Sequence, residues 1–219
     1  MAQAQPADVQ HAASRLYLVT PPLTETRDFA ARLGGAIAGI DVAAVLLRLE
    51  PAGERDLINR VKALAGTVQS SGAALLIDGQ PDIAARAGAD GAHLDGIAAF
   101  TAAVGALKPA RIAGCGGLKT RHDAMLAGER GADYVMFGEI EAGGRRPAFA
   151  AIIERIEWWA PLFEIPCVGF AAELAEVGPL AAAGAEFVAV GDAVWNDPRG
   201  PAVAVSDAAQ RLVAPEAVT

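Results

Sequence analysis

The stretches Gly88-Ala89-Asp90-Gly91, Gly131-Ala132-Asp133-Tyr134 and Gly184-Ala185-Glu186-Phe187 recur at equivalent places in this chain. Each ends an alanine-rich, helix-like stretch and precedes a short apolar run. A glycine after a helix readily adopts the left-handed conformation that ends it, and the small and acidic residues that follow favour a turn into a buried strand. The recurrence of one helix-turn-strand unit therefore predicts a repeated β/α architecture.

Eight short apolar runs alternate with helical patterns along the whole chain. Such runs are typical of parallel strands that helices cover on both faces. We expect residues 14–214 to form a single (β/α)8 TIM barrel, preceded by a flexible N-terminal segment at 1–13. A doubly wound open sheet is the alternative, but the even spacing of the units favours closure. The predicted strands are 15–20, 42–49, 73–77, 92–94, 111–113, 134–138, 166–170 and 187–190.

Composition narrows the range of functions. The formal net charge of −8 argues against a nucleic-acid partner, because no stripe of Lys and Arg offsets it. Two cysteines make no disulfide framework, which favours a reducing cytoplasm. The first dozen residues lack the features of a signal peptide, and no apolar stretch reaches membrane-spanning length. We therefore expect a soluble cytoplasmic protein without a membrane partner.

Three segments resemble one known family. They are Tyr17-Leu18-Val19-Thr20, Gly91-Ala92-His93-Leu94 and the run Gly131-Ala132-Asp133-Tyr134-Val135-Met136-Phe137-Gly138, and together they are similar to thiamine phosphate synthase and its TenI branch. The resemblance implies a (β/α)8 barrel that joins a pyrimidine diphosphate to a thiazole phosphate, releasing pyrophosphate with help from Mg²⁺. The TenI branch keeps the barrel and its binding site, but it catalyses a thiazole tautomerisation instead.

The resemblance also implies where the diphosphate and the metal bind. The synthases carry Gln-x-Arg-Glu-Lys after strand two, and Arg48 keeps the arginine of that run, which implies a catalytic, diphosphate-binding role. The family's two Mg²⁺-binding aspartates align with Gly79 and Ala98 here. Asp78 and Asp95 stand close by in sequence, so they are the candidate ligands of a displaced Mg²⁺.

Further residues are candidates for binding a phosphorylated ligand. Gly116 belongs to a glycine cluster that lets backbone N–H groups approach an anion, and Lys119 lies near it. Arg145 stands in the loop that carries Thr-x-Thr-Lys in the family. Gly169 aligns with the family's phosphate-binding Gly-Gly turn after strand seven, and Gly191 follows strand eight, where barrels often hold phosphate.

Each of these residues also has a purely structural interpretation. Arg48 would then form a salt bridge at the rim with Glu50 or Asp78. Asp78 and Asp95 would cap the helices that follow them. The glycine cluster would only make a tight turn, and Arg145 would be a solvated charge.

Five other residues have both a functional and a packing interpretation. His93, in an apolar strand, is expected to be a hydrogen-bonded core residue rather than a base. Cys115 and Cys167 are able to face the mouth of the barrel, although free cysteine is commonly a small buried apolar residue. Trp158-Trp159 indicates either a subunit contact, and hence a homo-oligomer, or core packing.

Two functional hypotheses follow. The first is an enzyme of thiamine biosynthesis, a transferase that displaces diphosphate, with Arg48 on the diphosphate and a Mg²⁺ at Asp78 and Asp95. The second is a diverged TenI-like barrel, either a thiazole tautomerase or a non-catalytic protein that binds a phosphorylated ligand. Dependence of ligand binding on Mg²⁺ separates the two hypotheses.

Overall fold

The computed structural model describes residues 13–141 and 143–213, so residues 1–12 of the predicted N-terminal segment lie outside the described part. Eight parallel strands pair in chain order, and β1 also pairs with β8, which closes the sheet into a barrel. The predicted (β/α)8 barrel is therefore confirmed. The strands are β1 (Arg15–Val19), β2 (Val42–Leu47), β3 (Ala74–Asp78), β4 (Gly91–Asp95), β5 (Ile112–Gly116), β6 (Tyr134–Phe137), β7 (Cys167–Ala171) and β8 (Phe187–Val190).

Helices follow the strands and cover the outside of the barrel. A single turn of 3₁₀-helix, Leu174–Glu176, precedes the seventh helix, and a short extra helix follows β8. The helices are α1 (Arg27–Ile37), α2 (Glu54–Gln69), α3 (Pro81–Ala87), α4 (Ile97–Leu107), α5 (Arg121–Glu129), α6 (Phe149–Trp159), α7 (Val177–Ala182), α8 (Asp192–Trp195) and α9 (Pro201–Val213). In the described part of the chain, no helix has the length and apolarity needed to cross a membrane.

The three recurring phrases form one turn geometry. Gly88, Gly131 and Gly184 have φ angles of 79°, 88° and 103°, in the left-handed region that favours glycine. The alanine after each glycine is buried, and its N–H donates to a carbonyl five residues earlier in the helix, as in a Schellman motif. The same turn therefore ends α3, α5 and α7.

The acidic residue of each phrase connects two neighbouring strands. Its carboxylate accepts the backbone N–H at or near the start of the preceding strand, at 2.7–2.8 Å. The three pairs are Asp90 with Leu75, Asp133 with Ala113, and Glu186 with Cys167. A related turn precedes β2, where Gly39 has a φ of 73° and Asp41 accepts from the side chain of Arg15 at 2.7 and 2.9 Å. All four even-numbered strands thus begin with an acidic residue that holds the strand before it.

The barrel interior is filled by side chains, as in other (β/α)8 folds, so the open space lies at its ends. The interior cluster is separate from the larger core between strands and helices. Its buried members are Tyr17, Val19, Ala44, Leu46, Leu76, Tyr134, Met136, Val168 and Ala189. Because side chains alternate along a strand, these residues also show which later residues point into the mouth above them.

We predict that Asp133→Ala lowers the free energy of unfolding by about 1–3 kcal/mol, since it leaves the Ala113 N–H without its acceptor. Asp133→Asn keeps an acceptor oxygen and is expected to recover much of that loss. Glu129→Ala, at an exposed position near the end of α5, serves as the control and should change stability by less than about 0.5 kcal/mol. Urea denaturation of the three variants measures the effect, and equal losses for Asp133→Ala and Glu129→Ala would contradict it.

Candidate active site

Arg48 and Asp78 lie side by side at the mouth of the barrel, at the carboxyl ends of β2 and β3. Leu46 and Leu76 point into the interior, so the residues two positions later face the same way, above them. Arg48 Nε lies 3.9 Å from Asp78 Oδ2, and both side chains are more than a third exposed. The Arg48 backbone N–H donates to Thr20 Oγ1 at 3.0 Å, which fixes the backbone from which the guanidinium extends.

The Asp78 carboxyl lies among several charged side chains. Burial raises the pKa of the Asp78 carboxyl, and the carboxylates of Glu139 and Asp95 raise it further. His93 and Arg48 act in the opposite direction without reversing the shift. The Asp78 carboxyl is thus affected by two other carboxylates and by two basic side chains.

A chain of buried polar groups runs from the barrel interior to the mouth. Tyr17 Oη lies 2.8 Å from Tyr134 Oη, which lies 2.9 Å from His93 Nδ1. His93 Nε2 lies 2.8 Å from Glu139 Oε1, and the Gly117 N–H donates to Glu139 Oε2 at 2.8 Å. His93 is buried and bonded at both ring nitrogens, as the sequence predicted for a hydrogen-bonded core histidine.

The electrostatics of this chain follow from its burial. Burial alone would lower the pKa of His93, but the Glu139 carboxylate, together with Asp78 and Asp95, raises it overall. Burial raises the pKa of Tyr17 and of Tyr134, so both phenols stay neutral. The two tyrosines therefore add no charge to this chain of groups.

Two glycines of β5 make room for this chain. A Cβ on Gly114 would lie 2.0 Å from the Tyr134 ring, and a Cβ on Gly116 would lie 2.0 Å from Glu139 Oε2. Both distances are far shorter than any allowed contact, so only glycine fits at these positions as the structure stands. The space above Gly116, which the sequence assigned to an anion, is filled by the Glu139 carboxylate.

Asp95 lies on the same rim, at the end of β4, and its exposed side chain comes close to Gly117. Arg48, Asp78 and Asp95 thus stand on three consecutive strands at one side of the mouth. Within residues 13–141 and 143–213, no group of three His, Cys, Asp or Glu side chains is placed to hold a metal ion. A divalent cation here would take oxygens from its ligand as well as from these aspartates.

The remaining candidate phosphate-binding residues are scattered. Lys119 is exposed after β5, and Gly191 is buried between β8 and α8. Arg145 is 83% exposed and pairs with Glu141 at 3.0 Å. The assignment of Gly169 to a turn is wrong, because β7 continues to Ala171 and a Cβ on Gly169 would lie 2.9 Å from Ile156 Cδ1 on α6. The absence of a side chain at Gly169 thus lets β7 pack closely against α6.

Arg146 holds the loop after β6 against the end of β7. Its guanidinium donates to Gly138 O at 2.8 Å, to Phe170 O at 2.5 Å and to Glu176 Oε1 at 2.8 Å. Glu176 Oε2 in turn accepts the Ala172 N–H at 2.7 Å. Both charged side chains are largely buried. Of the two adjacent arginines, only Arg145 is therefore exposed to solvent.

The cysteines and tryptophans belong to the packing. Cys115 and Cys167 are fully buried in the core between strands and helices, and burial raises the pKa of the Cys115 thiol to about 12. Neither thiol is placed as a nucleophile. Trp159 is fully buried, whereas Trp158 is partly buried and packs against Phe163.

Glu139 is the residue that reasoning from the sequence missed. It follows β6 by two positions, so the rule that selected Arg48 and Asp78, a charged side chain at the carboxyl end of a strand, applied to it as well. Its link to His93 depends on the glycines of β5. The residue types alone do not show that these glycines face the barrel interior.

Comparison with known proteins agrees with the geometry. The family model described as thiamine monophosphate synthase matches residues 16–194. The thiamine-phosphate synthase of Rhodospirillum centenum is 40% identical over 196 residues, which cover 88% of this chain and 95% of that protein. The thiamine-phosphate synthase of Hyphomonas neptunium is 36% identical over 203 residues, which cover 88% of this chain and 90% of that protein.

Solved structures share the fold. Thiamine phosphate pyrophosphorylase from Pyrococcus furiosus superposes with a TM-score of 0.74 at 19% identity, covering 91% of this chain and 95% of that one. The 3-hexulose-6-phosphate synthase of Salmonella typhimurium has a TM-score of 0.69 at 17% identity, covering 90% and 98%. The structural similarity supports the barrel fold, and the sequence matches show the family as well. The chain belongs to the thiamine monophosphate synthase family.

Proposed function

We propose that this protein is a transferase of thiamine biosynthesis that joins a hydroxymethylpyrimidine diphosphate to a thiazole phosphate and releases pyrophosphate. The proposal is supported by relatives named thiamine-phosphate synthase that match nearly the whole chain. Those relatives do not favour the alternative of a thiazole tautomerase or a non-catalytic binding protein. Both substrates are phosphorylated small molecules.

The observation that carries the proposal is the position of Arg48 at the mouth. Its guanidinium is partly exposed and only loosely paired with Asp78, at 3.9 Å. A planar guanidinium donates two parallel hydrogen bonds to phosphate oxygens, which is stronger than so long an ion pair. Arg48 is therefore able to exchange Asp78 for a diphosphate without losing a well-formed contact.

Asp78 and Asp95 fit a Mg²⁺ that is bound mainly through the diphosphate. Mg²⁺ in proteins commonly takes one or two carboxylates and completes its coordination with water and phosphate oxygens. Burial raises the pKa of the Asp78 carboxyl, and Glu139 and Asp95 raise it further, so a cation bound there would stabilise the ionised carboxylate. The ion would supply charge neutralisation for the diphosphate, and Asp78 and Asp95 would hold it.

The proposed reaction breaks one bond and forms another at the same carbon. The thiazole nitrogen donates its electron pair to the methylene carbon of the pyrimidine, while the carbon–oxygen bond breaks and its electron pair leaves with pyrophosphate. Arg48 stabilises the charge that grows on the leaving oxygens. The rest of the rate enhancement comes from holding the two substrates in line.

The thiazole phosphate is assigned to the remaining candidates. Gly191, at the end of β8, offers backbone where (β/α)8 barrels often bind phosphate, and Arg145 is the exposed cation of the loop after β6. Lys119 follows β5 and is exposed, whereas Gly116 has no part in this assignment because the Glu139 carboxylate fills the space above it. Gly169 has no part in this assignment, because it lies inside a strand and faces the helices.

The location, the partners and the oligomeric state of the protein are also proposals. We place the protein in the cytoplasm, and its net charge of −8 opposes binding to nucleic acid. A homo-oligomer through the end of α6 is consistent with Leu162, which is 65% exposed close after the partly buried Trp158.

We predict that Arg48→Ala lowers kcat/KM for thiamine phosphate formation about 10- to 100-fold, the value of a hydrogen-bonded charge on the diphosphate. Arg211→Ala is the matched control, since Arg211 is equally exposed and also pairs with an aspartate, but lies on the outer helix α9. A steady-state assay with both substrates, with and without Mg²⁺, measures the effect. Absence of product from folded wild type, beside an active synthase, would remove the proposed function.

Substitution of the two adjacent arginines in the loop after β6 should affect different properties: protein stability for Arg146 and substrate binding for Arg145. Arg146→Ala leaves the buried Glu176 carboxylate without its partner and is expected to lower the free energy of unfolding by about 3 kcal/mol. Arg145→Ala removes an exposed charge, so stability should change by less than about 0.5 kcal/mol while KM for the thiazole phosphate rises. Thermal unfolding and steady-state kinetics separate the two effects. An unchanged KM in Arg145→Ala would remove Arg145 from the phosphate site.

A further inference from the structure

The Glu139 carboxylate uses only part of its capacity to accept hydrogen bonds. A carboxylate has about four lone-pair positions, and two are used within the described part of the chain, by His93 Nε2 and by the Gly117 N–H. The side chain is 25% exposed, whereas His93 beneath it is buried. The unused acceptor positions of Glu139 are therefore those that border the mouth.

The carboxylate is also held rigidly. Each oxygen has a donor at 2.8 Å, and the His93 ring is itself fixed from below by the Tyr134 hydroxyl. Gly116 gives the carboxylate its place, because a Cβ there would overlap Oε2. A fixed acceptor binds a donor of the ligand without first losing side-chain freedom.

Glu139 and Arg48 stand on opposite sides of the mouth. Arg48 follows β2 and Glu139 follows β6, and strands four apart in a closed barrel of eight face each other across the axis. The Arg48 guanidinium attracts phosphate oxygens, and the Glu139 carboxylate repels them. N–H donors of a ligand are attracted to the Glu139 carboxylate and repelled by the Arg48 guanidinium.

We propose that Glu139 is a specificity-determining residue, whose carboxylate accepts hydrogen bonds from an amino group or ring N–H of the heterocycle while Arg48 binds the phosphate end. The identity of the heterocycle, an amino-substituted pyrimidine, rests on the proposed function. The two groups together give the ligand one orientation across the mouth. Glu139 touches the ring in this arrangement and takes no part in breaking the bond to the diphosphate.

The test compares two ligands that differ in one group. The first is a hydroxymethylpyrimidine diphosphate with an exocyclic amino group, and the second has hydrogen in place of that amino group. Calorimetric titration without the thiazole partner measures binding alone. Wild type should bind the amino compound at least about 10-fold more tightly, the value of a hydrogen bond to a charged acceptor. Glu139→Gln should reduce this ratio to within about 3-fold and leave binding of inorganic pyrophosphate equal or tighter.

Glu141→Gln is the control, since it removes a carboxylate from the same loop that pairs only with exposed Arg145. It should keep the wild-type ratio. A purely structural role for Glu139 would weaken both ligands equally and leave their ratio unchanged, which would overturn the proposal. Equal affinity of wild type for the two ligands would overturn it as well, and this comparison needs no variant to fold.

A second pair of ligands separates this proposal from the proposed function. The same two pyrimidines without phosphate report on the ring alone. A preference of wild type for the amino compound, lost in Glu139→Gln, supports the role of Glu139 even if no thiamine phosphate is formed. Absence of any preference in both pairs overturns the role of Glu139, whereas the proposed function depends on product formation alone.

Discussion

The barrel depends on a carboxylate at the start of every even-numbered strand. Asp90, Asp133 and Glu186 each accept a backbone N–H of the strand before, and Asp41 holds a side chain of β1. These contacts lie at the amino ends of the strands, opposite the mouth. Each joins an odd-numbered strand to the strand that follows it, and the stagger of neighbouring strands decides which residues reach the opposite rim. The turns that close the fold thereby place the site.

The mouth above this scaffold carries an accessible hydrogen-bond donor and an accessible acceptor on opposite sides. Arg48 provides an accessible cation on one side, with Asp78 and Asp95 next to it. Glu139, linked to a buried histidine and two buried tyrosines, provides an acceptor on the other side. Arg146 is used to hold two loops together, so it adds no free charge. A ligand with an anionic end and a ring that donates hydrogen bonds matches this division.

Much of the fold was predictable because each strand and turn has a local signal, such as the apolar runs and the glycine that ends each helix. The site was predictable where one rule sufficed, as for Arg48 and Asp78 at strand ends. The assignment of Gly169 to a turn failed because it came from the resemblance to the family's Gly-Gly motif, whereas the apolar run 166–170 had placed this residue inside a strand. The role of Glu139 depends on contacts between β4, β5 and β6, and no single segment contains that information.

The glycines at the inward positions of β5 restrict which substitutions the site can accept during evolution. With Gly114 under the Tyr134 ring and Gly116 under the Glu139 carboxylate, any side chain at either position would overlap its neighbour. A descendant that gains a residue with a Cβ at position 116 must therefore shorten or move the side chain at position 139. Within this family we expect the two positions to change as a pair, so that strand five and the loop after strand six evolve as one unit.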